Sequence, residues 1–295
     1  MKEYAIYPFK NINITQNYNQ GNHNNHWYGS TNYIDKPWDE AGIDKGREYF
    51  VPQNDFIVEE VLGINSNVTN SVRLKSVNKL YLPIGNYDYL YITLSHMNED
   101  NLKEVKVGDI LRKGTMILLE GNDGIATGNH FHITANLGKY YGFLKNSNGS
   151  WCFTYEKSLL PEEAFYVDSK FNVIVNTNGS QFIEVPSFFV GVPVEKNINV
   201  NQLEIKVNNL RCRSTPSLNG EILGYVVPGF YDYNSVVDID GYLWYDIGIG
   251  YIAYNADWIN IYPKKISDNF FSKLKKLFNK VFDFFRWFLY IYFLY

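Results

Sequence analysis

The chain has 295 residues, 45% of them hydrophobic and 17% aromatic, with a formal net charge of −4. That is ample apolar material for two packed domains and excludes a largely disordered chain. The acidic balance argues against nucleic acid as the main partner, and two cysteines far apart in sequence, Cys152 and Cys212, exclude a disulfide framework and a cysteine zinc finger.

The N-terminus, Met1-Lys2-Glu3-Tyr4, continues into a mixed polar and apolar stretch without the apolar run and small-residue cleavage site of a secretory signal peptide. The five histidines, His23, His26, His96, His130 and His132, all fall in the first 132 residues, and residues 133–295 contain none. Surface histidines would scatter, whereas a metal site draws them together, because neutral imidazole is the commonest protein ligand for zinc. Between Tyr4 and about Asp168 short alternating segments predict strands over 56–62, 71–74, 89–94 and 130–135, separated by turn-rich loops. Val107-Gly108-Asp109 and Arg112-Lys113-Gly114 read as two turns around a short apolar strand, and 116–119 as the next strand. In a strand over 130–135, His130 and His132 project from one face, roughly 6 to 7 Å apart at the backbone, so that one can bind a metal while the other reaches its bound water.

Residues 176–202 are rich in Asn, Gly and Pro and read as a linker with one strand at 188–192. From 203 to 263 a second strand-rich unit follows, without histidine or clustered carboxylates, of a size that suits a small barrel built for binding. Beyond it, Phe270, Phe271, Leu274, Leu277, Phe278, Val281, Phe282 and Phe285 recur at helical spacing opposite Lys273, Lys276 and Lys280. The segment 264–295 carries a local charge of +5, against −9 for the rest, and ends in nine apolar residues from Trp287 to Tyr295. A span needs about 20 apolar residues. A basic amphipathic helix lying in a membrane interface is therefore the expectation, against the plainer one of a helix packed back on the protein.

Three ordered stretches resemble a known family. Gly121-Asn122-Asp123-Gly124-Ile125-Ala126-Thr127-Gly128-Asn129-His130-Phe131-His132, the preceding Val107-Gly108-Asp109-Ile110-Leu111-Arg112-Lys113-Gly114, and Tyr91-Ile92-Thr93-Leu94-Ser95-His96 are similar to the zinc endopeptidases of the lysostaphin type, peptidase family M23. The resemblance covers about residues 10–168. It implies that His132 is a zinc ligand and that His96 and His130 stand beside the water and the scissile carbonyl as general base or stabilisers. The remaining ligands, one His and one Asp, stay open. The common His-x-Gly-x-Asp pattern falls on Glu40-Ala41-Gly42-Ile43-Asp44, with glutamate where histidine belongs. A second form of the family matches Trp38-Asp39-Glu40-Ala41-Gly42, with its histidine in Gly21-Asn22-His23-Asn24-Asn25-His26. Asp39 is preferred to Asp44, and His26 to His23, since Gly29 follows His26. Glu40, Asp35 and Asp44 are expected to be solvated or to orient a ligand imidazole. Leu210-Arg211-Cys212-Arg213-Ser214-Thr215-Pro216-Ser217 and Gly224-Tyr225-Val226-Val227-Pro228-Gly229, with a later Trp244-Tyr245, resemble a bacterial SH3-like wall-binding module.

Strand-forming composition, the alternating segments and the resemblance together predict a mainly β chain. Residues 1–175 would be an antiparallel M23-like metallopeptidase domain, 176–202 a linker, 203–263 an SH3-like barrel and 264–295 an amphipathic C-terminal helix. The expected activity is zinc-dependent cleavage of peptidoglycan cross-link peptides by a phage lysin, released by a holin or carried in the virion. Two further readings compete with it. One is a wall-binding or phage tail protein that has lost the metal through Glu40; the other is a membrane-penetrating protein whose N-terminal domain clears the wall.

Overall fold

A computed structural model describes residues 2–9, 11–16, 23, 27–28, 33–34, 36–41, 49–63, 69–124, 126–145, 151–167, 174–175 and 188–264. His26, Asp35, Asp44 and the amphipathic segment beyond Lys264 lie outside them.

The main sheet runs in the order Ile110–Leu111, Phe56–Leu62, Ser71–Ser76, Tyr91–Ser95, Phe131–Lys145, Trp38–Glu40 and Ile14–Gln16, with Trp151–Leu159 also paired to Phe131–Lys145. Every one of these pairings is antiparallel. Alternation in the sequence explains the two faces. Val72, Leu74, Ile92, Leu94, Phe131, Ile133 and Ala135 are buried, while Arg73, Lys75, Tyr91 and His132 take the intervening positions. Trp38 and Phe56 extend that apolar face, and Phe9, Phe50 and Phe165 pack on it against Phe131, Phe56 and Trp38, all nearly inaccessible. Each such side chain contributes about 1.5–3 kcal/mol by leaving water.

The strand expected over 130–135 continues to Lys145. It passes Gly138 and Gly142, whose φ angles of 77° and 114° only glycine adopts at little cost, and its pairing with Trp151–Leu159 shifts register on either side of Tyr140. A glycine that reads as a strand end is here a bulge that bends the strand. The expected strand at 116–119 shrinks to Leu118–Leu119, paired with Tyr49–Phe50.

A second set of strands follows from Gln202. Leu210–Arg213, Ile222–Val226, Ser235–Ile239, Tyr242–Asp246 and Tyr251–Ala253 share one sheet, and Gly229–Asp232, Gln202–Ile205 and Ile259–Tyr262 form another. Leu203, Ile205, Cys212, Val226, Ile252 and Ile259 are buried between them. Burial pushes the Cys212 thiol up to about 12, so it packs as a small apolar group. The Phe189–Val190 strand pairs in parallel with Tyr166–Val167 on one side and with Ile222–Val226 on the other. That strand stitches the two parts of the chain together, and a single buried cluster extends through both.

Candidate metal centre

The site sits where three neighbouring strands of the main sheet bring polar residues to the same face. His132 lies directly across from Asp39 on one side and from Ser95 on the other. Directly opposed residues of antiparallel strands share a face, so His132, Asp39 and Ser95 all project away from the aromatic core. Phe131 and Ile133, the neighbours of His132, pair with Glu40 and Trp38 on the core side. His96 follows Ser95 at once and, among the described residues, is one of three non-glycine residues with positive φ, at 62°. That left-handed conformation turns the chain sharply off the strand and keeps the imidazole at the site. Asn98 then stabilises the Glu99–Lys103 helix, its side chain accepting from the amides of Asp100 and Asn101.

His23 completes the cluster and is 2% exposed. Its Nε2 lies 3.2 Å from His132 Nδ1 and 3.3 Å from Asp39 Oδ1, and His132 Nδ1 lies 3.1 Å from that same oxygen. A tetrahedral zinc with bonds of about 2.0–2.1 Å to nitrogen and oxygen requires ligand atoms about 3.3–3.4 Å apart. The three donors form a triangle close to one face of such a tetrahedron, so the residues present fit zinc. Two neutral imidazoles and one carboxylate leave the ion a net positive charge and a fourth position to fill. His132 and His130 keep 20% and 14% of their side chains accessible, so this position faces solvent on their side.

Electrostatics favour the charge state that a metal site needs, and an arriving cation displaces the ring protons that now bridge the donors. Burial alone would raise the pKa of Asp39, but hydrogen bonds from His132 and His23 outweigh it and hold the carboxyl well below the ordinary range. Burial pulls His132 down to about 3, against the pull of Asp39, so near neutral pH the pair is a carboxylate with a neutral imidazole. The two flanking histidines are oriented by backbone. His96 Nδ1 donates to the Asp123 carbonyl at 2.5 Å, and His130 Nδ1 donates to the Gly128 carbonyl at 2.8 Å. In both rings Nε2 is the atom left for chemistry, and His130 Nε2 lies 3.6 Å from Asp39 Oδ1. The ring centroids of His96 stand 4.7 Å from His130 and 5.7 Å from His132. Burial lowers the His96 pKa, opposed by its bond to Asp123.

The structure thus gathers His23, Asp39, His96, His130 and His132 in one place. His26, preferred on the sequence to His23, is outside the described residues, and the donor position beside Asp39 and His132 is held by His23. Glu40 requires a correction. Rather than being solvated or oriented toward an imidazole, it is fully buried on the core face, where it accepts from the Tyr7 hydroxyl at 2.5 Å and the Asn13 amide at 2.7 Å. Adjacent residues of a strand face opposite ways, so Asp39 at the site places Glu40 in the core. Sequence reading missed Asp123. Its carbonyl orients His96 while its carboxylate accepts from the Asn70 amide. The Gly121-Asn122-Asp123-Gly124 turn marked the place, but a backbone acceptor leaves no signature in residue type.

No protein-family model and no curated protein matches the chain. Among solved structures it is similar to a zinc-containing peptidase from Vibrio cholerae, at 16% identity over 54% of this chain and 40% of that one, with a TM-score of 0.28. It is also similar to the catalytic domain of the prophage-encoded M23 protein EnpA from Enterococcus faecalis, at 16% identity over 51% of this chain and 92% of that one, TM-score 0.27. The antimicrobial peptidase lysostaphin from Staphylococcus simulans aligns at 14% identity over 88% of this chain and 98% of that one, TM-score 0.31. At these values the likenesses assign no function, and what the site does is read from its own side chains.

Proposed function

We propose that the chain is a zinc-dependent endopeptidase that cleaves the cross-link peptides of bacterial peptidoglycan. One observation carries the reading: His23, Asp39 and His132 present three donor atoms at zinc-ligand spacing, with His96 and His130 beside them. Zinc, when bound there, supplies a Lewis acid for an amide carbonyl and activates water for attack. His96 and His130, each with Nδ1 tied to a carbonyl, hold Nε2 ready to take the proton of the attacking water and return it to the leaving amine, or to donate to the developing oxyanion. The peptide-bond substrate and its location in peptidoglycan rest on the three motifs shared with the M23 family. Glu40 supplied the motive for a degenerate, metal-free protein, and its place in the core removes that motive. Exhaustive dialysis against a chelator should abolish lysis of purified cell walls, and addition of about one equivalent of zinc should restore it; wall lysis that survives zinc removal would overturn the proposal.

Gly121 gives a second check. A Cβ there would stand 2.6 Å from both the His96 carbonyl oxygen and the Asn98 amide nitrogen. Gly121→Ala must push the backbone that carries His96, at a cost of about 1–3 kcal/mol. A displacement of about 1 Å is enough to lower hydrolysis roughly a hundredfold. Zinc content, measured alongside, should be unchanged, since none of the three donors is on that loop.

The finer parts of the reading extend the same proposal. The chain acts as a phage lysin at the host wall, freed by a holin or carried in the virion. Residues 203–263 hold it on wall peptide as an SH3-like module, which raises the local substrate concentration by tethering. The basic and apolar pattern of 264–295 suits an anionic membrane surface, and among the described residues no helix is long and apolar enough to cross a membrane. Removing residues 264–295 should abolish co-sedimentation with anionic liposomes; binding that persists without them would remove the membrane role.

A further inference from the structure

At the opposite end of the main sheet from the histidines is a cavity of about 590 Å³ lined by Tyr81, Tyr87, Tyr89, Lys2, Lys79 and neighbouring polar side chains. Its origin is local. Leu80–Tyr81 and Tyr87–Asp88 form a short antiparallel hairpin whose turn is closed by Gly85 at φ 89°. Leu80 and Leu82 are buried, so alternation turns Tyr81 outward, directly across from Tyr87. The two rings stack at 4.4 Å with 29° between their planes, and Tyr87 remains 54% exposed. The N-terminal segment lies along the other side of this hairpin: the Tyr81 amide donates to the Glu3 carbonyl, and the Ala5 amide donates to the Tyr81 carbonyl. Around the rings stand Lys2, Lys79, Asn78, Glu3 and Glu195. Lys2 Nζ is 5.1 Å from the Tyr81 ring centre, and Asn78 Nδ2 donates to the Glu3 carboxylate at 3.2 Å.

We infer that this cavity is a saccharide-binding site. The volume falls in the range of about 300–1,000 Å³ typical of ligand sites. Two lysines and two glutamates leave the lining without net charge, which gives no pull on a phosphate or a polyanion. Addition of a peptide strand to the Leu80–Tyr81 strand is closed off, since Tyr87–Asp88 occupies one edge and the N-terminal segment the other. What the site offers is an exposed, pre-stacked aromatic platform ringed by donors and acceptors of both kinds. A hexose matches that pattern, with a C–H face for the ring and hydroxyl or acetamido groups for the rim. The Tyr91–Ser95 strand alone spans roughly 13 Å at about 3.3 Å per residue, and it lies between Tyr89 of the cavity and His96 of the site. A glycan held here would be grasped away from the cut, and only this link to wall glycan rests on the proposed function.

The test uses the full chain and chitotetraose, an uncharged N-acetylglucosamine tetramer, titrated calorimetrically and by NMR. Wild type and the His132→Ala variant should bind with the same affinity, which separates this site from the peptidase reading. Tyr87→Ala, at an exposed position, should weaken binding at least about tenfold, and Tyr87→Phe should retain it, since the ring face makes the contact. Cleavage of a short cross-bridge peptide without sugar should be unchanged in Tyr87→Ala. Absence of binding by wild type at millimolar sugar, or equal binding by Tyr87→Ala, would overturn the inference.

Discussion

Asp39→Ala is expected to abolish both zinc binding and hydrolysis. The carboxylate is the only anionic member of the donor triangle, with Oδ1 3.1 Å from His132 Nδ1 and 3.3 Å from His23 Nε2. Without it, two neutral imidazoles offer a divalent cation neither a third bond nor a compensating charge. Elemental analysis should fall from about one zinc per chain to near zero. Wall lysis should drop at least a thousandfold, a barrier increase of about 4 kcal/mol. Asp39→Asn is the sharper variant. It keeps the shape and one oxygen, but removes the charge that two hydrogen bonds hold in the ionised state. It should therefore lose most of its zinc as well, while the far-ultraviolet circular dichroism of both variants stays that of the wild type. His23→Ala should behave like Asp39→Ala. If zinc content survives in His23→Ala and is lost in His26→Ala, the third ligand is His26, although the metal reading stands.

The second large effect is on stability. Glu40 is 0% exposed, and its two oxygens accept from the Tyr7 hydroxyl and the Asn13 amide, tying the N-terminal segment to the strand that carries Asp39. Glu40→Ala leaves two buried donors without that acceptor and opens a cavity beside Phe131. Two buried neutral donors that lose their acceptor cost about 1–3 kcal/mol together, and the cavity brings the total to about 3–5 kcal/mol. In a chain of this length that corresponds to a fall in Tm of roughly 10 °C. Glu40→Gln keeps the volume and can accept from Asn13 while donating to the Tyr7 oxygen, so it should lose only about 1–2 kcal/mol. Urea denaturation of the three proteins should rank them wild type, Glu40→Gln, Glu40→Ala. A Glu40→Ala protein as stable as wild type would refute the anchoring role. Because Glu40 and Asp39 are consecutive, zinc affinity should follow the same order.

Much of the architecture is legible along the chain because alternation of apolar and polar residues is a local property. Val72, Leu74, Ile92 and Leu94 mark the buried face of their strands before any partner is known, and a mainly β chain follows from many such segments between turns. The same logic places His130 and His132 on one face. Less legible was the length of that strand. Gly138 and Gly142 look like breaks, yet cross-strand pairing with Trp151–Leu159 carries the strand through them as bulges.

The residue types at the site, clustered histidines with a nearby acidic stretch, were determined by the sequence alone, and so was the chemistry they imply, because ligand preference belongs to the side chain. Only the tertiary structure decided which of them meet. Asp39 reaches His132 through the register of strands 93 residues apart in sequence, and the same register turns Glu40 into the core. His23 meets Asp39 and His132 although no periodicity marks its place, and His96 is aimed by the carbonyl of Asp123. The stacked pair Tyr81 and Tyr87 became a platform only when a hairpin set them face to face. Pairing register, loop path and backbone acceptors depend on the whole chain's burial and hydrogen bonding, so residue identity cannot carry them.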